Sequence, residues 1–285
     1  MAFTTLIQAA ELAGLLQAKA DVVVFDCSFD LGRVDAGREA YAAGHVPGAV
    51  YLHLDADLSG PKDGRNGRHP LPDRAALRQR LAQAGVGDGT QLVACDGAGG
   101  MYASRLWWLA RWLGCAHVAV LDGGFPAWQA AGLPVETLTP PERPVASLSP
   151  RDSLVGTVER DTVMARLHTP GQLLVDARGA DRFCGENETL DPVAGHIPGA
   201  RNRPFRDNLG ADGRFKAAAQ LRAEFDALIA GRPVDTLVMQ CGSGVTACHN
   251  LLALEVAGLP GATLYAGSWS EWCTYPGAPT AVGSD

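Results

Sequence analysis

Short apolar runs alternate with segments of helical period along this chain. Val22 to Phe25 is one continuous apolar run, closed by Asp26, and Leu92 to Cys95, Val118 to Leu121, Leu173 to Val175 and Leu237 to Met239 are four more. Runs of this length, bounded by polar or turn residues, read as buried strands. Helical spacing fills the stretches between them. Thr5-Leu6-Ile7-Gln8 has the spacing of a capping box before a helix through Leu16. Ala75 to Ala84 reads as helix, and Ala103, Leu106, Trp107 and Ala110 line one face of another. Such alternation predicts an α/β fold, a mainly parallel sheet flanked by helices.

The pattern occurs twice. Asp26 and Gly44-His45-Val46-Pro47-Gly48-Ala49 return as Asp176 and Gly195-His196-Ile197-Pro198-Gly199-Ala200, at offsets of 150 and 151. Leu92 to Gly99 aligns with Leu237 to Gly244 at 145, and Asp122 to Trp128 with Ala266 to Trp272 at 144. Four anchors in one order with small drift indicate a duplicated domain, since a solenoid needs a shorter period and more copies. Pro140 to Pro150, with four prolines, reads as the linker. The expected domains are therefore 1–145 and 146–285.

One stretch carries candidate chemistry. The run Leu237 to Gln240 ends at Cys241, then Gly242-Ser243-Gly244-Val245-Thr246 leads into apolar positions at Cys248, Leu251 and Leu252. This is strand, tight loop, helix, with a thiol first in the loop. Gly242 and Gly244 permit positive φ and put no side chain in the way of a ligand. Successive N–H groups can then turn inward as an anion nest, reinforced by the start of the helix. A thiol so placed loses its proton more readily than a free one, with its pKa of about 8.5. The plain alternative is a buried small hydrophobe at a strand end. In the first half the same position is Asp96, a carboxylate in place of the thiol. Only the second half is then chemically active, and the first shapes the cleft or supplies interface.

Composition narrows the class. The chain has 285 residues, 47% of them hydrophobic, and a net charge of −7. The charge and the lack of basic runs argue against a nucleic-acid surface. The seven cysteines are irregularly spaced with no CxxC pair, which points to free thiols in a reducing compartment, by default the cytoplasm. Glu11 and Lys19 interrupt the apolar pattern of the first 20 residues, which fits neither a signal peptide nor a membrane span.

With these residues in view, the chain resembles the tandem-domain sulfurtransferases, the rhodanese and 3-mercaptopyruvate sulfurtransferase family. The resemblance covers essentially the whole length, through the two Gly-His-Val/Ile-Pro-Gly-Ala segments, Asp26 and Asp176, the Cys241 loop and Gly267-Ser268-Trp269-Ser270-Glu271-Trp272. It implies two tandem rhodanese-like α/β domains, the C-terminal one catalytic, with no metal or organic cofactor. Cys241 takes sulfur from a small anionic donor as a persulfide and passes it to a thiol or cyanide; a thioredoxin-like reductant is one candidate acceptor. Cys-Gly-Ser-Gly-Val-Thr looks like the mercaptopyruvate branch, because thiosulfate-preferring members usually carry basic residues in this loop, where a compact dianion benefits from them. Thiosulfate remains the alternative donor, and a non-turnover sulfur carrier or regulatory module the alternative role.

The same resemblance assigns substrate contacts. Arg182 matches the family's carboxylate-binding arginine, its fork suited to two contacts, while Arg178 at the strand end makes structural contacts. Gly242, Gly244, Val245 and Thr246 supply backbone N–H groups, Ser243 bonds the substrate or relays a proton, and Thr246 also caps the helix. His45 is carried as a cleft residue assisting Ser243, oriented by Asp35; the bland role of His45 and His196 is to fix a turn. The six tryptophans are core or loop packing, with Trp269 a candidate pocket wall. Mercaptopyruvate members commonly add a second arginine after the first. Here that stretch, Gly185 to Pro192, is acidic and has none, leaving Arg201 or Arg203 to compensate. Two other thiol chemistries fit less well. A cysteine phosphatase needs arginine six residues on, where Ala247 stands, and zinc on Cys241, Cys248 and His249 lacks close cysteine pairs.

Overall fold

The structure is a computed structural model that describes residues 2–284. It divides into two compact units, each with its own sheet.

The first unit contains β1 (Leu6–Ile7), α1 (Ala9–Gln17), β2 (Val22–Asp26), α2 (Ala36–Ala43), β3 (Val50–Tyr51), α3 (Arg74–Gln83), β4 (Gln91–Cys95), α4 (Ala103–Trp112), β5 (Val118–Leu121) and α5 (Gly124–Ala130). The second contains β6 (Gly156–Thr157), α6 (Arg160–Ala165), β7 (Leu173–Asp176), α7 (Ala180–Cys184), β8 (Arg201–Asn202), α8 (Ala218–Ile229), β9 (Leu237–Gln240), α9 (Thr246–Val256), β10 (Thr263–Leu264) and α10 (Ser268–Trp272). The sheets are wholly parallel, in the orders β1-β5-β4-β2-β3 and β6-β10-β9-β7-β8. The second order is the first with each strand replaced by its repeat counterpart, so the internal duplication holds at the level of topology. No helix among the described residues is long and apolar enough to cross a membrane.

The apolar runs are strands for the reason the pattern gave: helices cover both faces of a parallel sheet, so its inner strands are apolar throughout. All of β2, β4 and β9 is buried. Leu12, Val24, Val93 and Trp128 share a core in the first unit, and Val163, Leu174, Val238, Trp269 and Trp272 one in the second. Five of the six tryptophans are less than 2% exposed.

Three local expectations change. Leu6–Ile7 is an edge strand rather than the start of a helix, and the capping box is formed by Gln8 and Glu11. Helix α9 is buried along Thr246 to Leu254, His249 and Asn250 included, so it is a central helix rather than a one-faced one.

The third change concerns the domain boundary at residue 145. Among the described residues, the first unit comprises those up to Gly60, Pro72–Leu154 and Ala211–Phe215, the second Pro61–Leu71, Val155–Gly210 and those from Lys216 onward. The proline-rich segment is pinned to the first unit past residue 145: Ala146 N–H donates to Ala82 O, Ser149 bonds the Asp88 carboxylate twice, and Leu154 N–H reaches Arg111 O. Each unit also takes in a short piece of the other half. Arg68 N–H donates to Ser270 Oγ at 3.0 Å, and Phe215 N–H to Asp122 Oδ1 at 2.9 Å.

Candidate active site

Strand β9 lies inside its sheet between β10 and β7 and ends immediately before Cys241. In open parallel sheets, ligands bind outside the carboxyl ends of the strands, and the thiol sits at such an end. The start of α10 holds the loop's backbone. Cys241 N–H donates to Ser268 Oγ at 3.1 Å, Cys241 O accepts from Trp269 N–H at 3.0 Å, and Gly242 O accepts from Ser270 N–H at 2.9 Å. Ser268 adopts φ +55°, a left-handed conformation rare outside glycine, asparagine and aspartate. Its hydroxyl, donating to Tyr265 O at 2.9 Å, helps hold it there.

The loop needs its glycines for different reasons. Gly244 has φ +75°, and a β-carbon there would lie 2.4 Å from the Ala266 carbonyl oxygen. A β-carbon on Gly242 would meet guanidinium groups: Arg68 Nη2 at 2.7 Å and Arg182 Nη1 at 3.4 Å. Ser243 N–H points back to Cys241 Sγ at 3.4 Å, and Cys241 itself is 1% exposed. Behind the loop, the Cys248 thiol donates to Gly244 O at 3.2 Å, from a wholly buried position.

The first unit shows what this loop shape holds. At the position equivalent to Cys241, the Asp96 carboxylate accepts four backbone N–H groups, from Ala98, Gly100, Tyr102 and Ala103, all at 2.8–2.9 Å. Asp96 is fully buried. The strand–loop–helix therefore gathers its amides around an anion at the first loop position. The repeat offset of 145 carries Ala98 onto Ser243, the residue whose N–H faces the cysteine sulfur.

Two residues missing from the sequence-based site are Arg68 and His69. His69 Nδ1 lies 2.7 Å from Ser243 Oγ, both side chains buried. His69 is therefore a side-chain partner of Ser243 that the sequence did not single out. His45 is built into its own turn: its backbone bridges Glu136, its Nδ1 contacts Tyr41 O at 2.7 Å, and its ring stacks on Tyr41. His196 repeats this on Phe183. Asp35 stands at the N-cap position of α2, and His45 Nδ1 lies on the Tyr41 carbonyl. Thr246 is the first residue of α9, after Val245 at the N-cap position. The repeat did hold a signal for Arg68: Gly67-Arg68 recurs as Gly213-Arg214, 146 residues on. These are the two segments that join the unit of the opposite half.

Charged side chains converge on the loop. Arg178 is 1% exposed at the side chain and pairs with the buried Asp176 at 2.7 Å. It donates to Gly195 O and lies 4.9 Å from the centre of the Trp269 ring, the structural role expected of it. Burial pulls its pKa down, but Asp176, Glu188 and the nearby Cys241 outweigh this and hold it above its ordinary value. Arg182 pairs with Glu188 at 2.8 Å and Asp191 at 3.2 Å. Burial favours the neutral form of Glu188, yet the Arg182 hydrogen bond and the Leu190 and Asp191 amides hold its pKa below the usual value. Arg68 bonds the Asp191 carboxylate. Arg201 and Arg203, the candidates for a second arginine, are committed elsewhere, to Leu228 O and to Glu224 and Asn208.

The rhodanese-like domain model matches residues 8–131 and 159–275. The chain belongs to the rhodanese-like family. It is 48% identical over 285 residues to a Pseudomonas aeruginosa protein named "Probable 3-mercaptopyruvate sulfurtransferase", covering 99% of this chain and 100% of that one. It is 35% identical to the thiosulfate sulfurtransferase of Bos taurus, over 87% of this chain and 84% of that one. Among solved structures, the 3-mercaptopyruvate sulfurtransferase from Leishmania major superposes with a TM-score of 0.85 at 30% identity, covering 96% of this chain and 76% of that one. The tandem rhodanese-like domains expected from the repeat and the resemblance correspond to these two matched regions.

Proposed function

We propose that this chain is a sulfurtransferase that moves a sulfane sulfur from 3-mercaptopyruvate, through a persulfide on Cys241, to a thiol or cyanide acceptor. The observation that carries the reading is the cradle: its first-unit copy holds a carboxylate on four amides, and its second-unit copy presents a thiol at the same position. In the first step the Cys241 thiolate attacks the donor sulfur. The carbon–sulfur bond breaks, its electron pair stays on carbon, and pyruvate leaves as the enolate. The donor's S–H proton balances the enolate, leaving an anionic persulfide that the Ser243 amide faces. The Ser243–His69 pair lies beside this transfer and is suited to relay the proton. In the second step an acceptor thiolate or cyanide takes the outer sulfur and Cys241 returns as thiolate.

The full-length relative from Pseudomonas aeruginosa supports the mercaptopyruvate reading, as does a loop without charge at residues 242–246. Thiosulfate is the second reading, favoured by Arg68 and Arg182 over Gly242, since a dianion is served by two cations. Donor assays separate the two. Repeated release of pyruvate from 3-mercaptopyruvate with a thiol acceptor supports the first, and faster thiocyanate formation from thiosulfate and cyanide supports the second. One stoichiometric loading without turnover identifies a carrier. Turnover retained by Cys241→Ser would falsify the nucleophile.

A further inference from the structure

The acidic segment after α7 meets the Gly67-Arg68 loop above the thiol loop. The Asp191 side chain is 3% exposed, and its two oxygens go to different guanidinium groups: Oδ1 to Arg68 Nη1, and Oδ2 to Arg182 Nη2 at 3.2 Å. Both guanidiniums approach Gly242, the residue after Cys241, as the space around its missing β-carbon shows. Arg68 Nε is buried and has no hydrogen-bond partner among the described residues. Two cations thus converge beside the nucleophile, and a carboxylate of the chain itself lies between them.

The arginines and carboxylates around the loop balance before the Cys241 thiolate is counted. Arg68, Arg178 and Arg182 face Asp176, Glu188 and Asp191. A donor carboxylate entering here adds a further negative charge beside the Cys241 thiolate unless one of the three carboxylates withdraws, and an uncompensated buried charge is costly. The three are not equally fixed. Asp176 takes Arg178 through both oxygens and a backbone N–H. Glu188 accepts from Arg182 and from the Leu190 and Asp191 amides. Among the described residues the Asp191 carboxylate meets the two guanidiniums alone, in a stretch, 185–200, without helix or strand.

We propose that Asp191 stands in for the donor's carboxylate: 3-mercaptopyruvate displaces it from between Arg68 and Arg182, and Arg68 is the second carboxylate-holding arginine. The exchange replaces one carboxylate by another, so the cluster's charge is conserved. It also supplies the arginine that the acidic segment lacks, from a loop in the other half of the sequence. The inference rests on the sulfurtransferase reading with a carboxylate-bearing donor.

The test compares Asp191→Asn, Arg68→Ala and Arg68→Lys with the unaltered protein, using steady-state kinetics with 3-mercaptopyruvate and competitive inhibition by pyruvate. Removing the internal competitor lowers KM and the pyruvate inhibition constant in Asp191→Asn by about threefold or more. Arg68→Ala raises both by about tenfold, the worth of a charge-assisted hydrogen bond. Arg68→Lys falls between, a point charge without the fork. An Asp191→Asn protein with unchanged or raised constants overturns the proposal, because Asp191 would then be a bystander or a support for the arginines. Unchanged constants in Arg68→Ala overturn it as well. Asp191→Asn and Arg68→Lys preserve side-chain size or charge, so a folding defect in Arg68→Ala still leaves two decisive variants. If the unaltered protein releases no pyruvate from 3-mercaptopyruvate, the functional reading fails. Protection of Cys241 from alkylation by pyruvate, measured in the same variants, then decides whether Asp191 competes with a carboxylate.

Discussion

Single residues in the thiol loop separate shape from chemistry. Gly244 combines a positive φ with a backbone oxygen 2.4 Å from any added β-carbon, so Gly244→Ala strains the chain and has nowhere to put the methyl group. The expected cost is about 1–3 kcal/mol of stability, read as a lower denaturation midpoint. Gly242→Ala differs, because the atoms in its way are ends of flexible arginine side chains. Its stability should change by less than about 0.5 kcal/mol, while donor KM rises as the guanidiniums are pushed aside. Equal melting losses in both variants would refute the distinction. Ser243 is the other test at this scale. Its hydroxyl lies 2.7 Å from His69 Nδ1, and Ser243→Ala should lower kcat by about a hundredfold, the low end for a proton-transfer group. His69→Ala should give a similar loss, and the double variant little more, since the two act as a unit. Additive losses would mean that the contact is structural.

At the scale of elements, ion pairs fasten α8 to the segment after β8. Glu224 on α8 accepts from Arg203 at 2.6 Å and from Lys216 at 2.9 Å. Desolvation pushes its pKa up, but hydrogen bonds from Arg203, Lys216 and Gln220 prevail and bring it to about 2, from an ordinary value of 4.5. A carboxyl lowered on folding contributes stability above its unfolded pKa, and loses it as pH falls through the folded value. The Glu224 contribution is therefore complete at neutral pH and fades between 4.5 and about 2. Melting the protein beside Glu224→Gln across that range should show the difference between them shrink as acid is added. A constant difference would mean that packing, not charge, fixes this helix. The cysteine loop depends on a different kind of fastening: three hydrogen bonds to the start of α10 orient it without any charged group.

The molecule as a whole is a duplication in which one copy reports on the other. Much of it was legible in the chain. Apolar runs located five of the six inner strands, Val22 to Phe25, Leu92 to Cys95, Val118 to Leu121, Leu173 to Val175 and Leu237 to Met239, because burial on both faces leaves an unmistakable pattern. The two-residue strands, four at the edges and Thr263–Leu264 inside the second sheet, had no such pattern. Cys241, Ser243 and the glycines were legible because loop chemistry is local. Arg68 and His69 were not, since their place depends on a segment joining the unit of the other half, and the Gly67-Arg68 and Gly213-Arg214 pairing is too short to stand out alone. The duplication also yields a test of the cradle independent of any donor. Asp96 accepts four N–H groups with no exposure. Asp96→Asn keeps the shape, removes the charge and turns an NH2 group toward backbone donors. A buried unsatisfied donor costs about 1–3 kcal/mol, so the first unit should unfold at lower denaturant. With a separate core in each unit, the loss should appear as an early transition rather than a uniform shift. If Asp96→Asn unfolds like the unaltered protein, these amides do not select an anion. The repeat would then give no support to an anionic sulfur on Cys241.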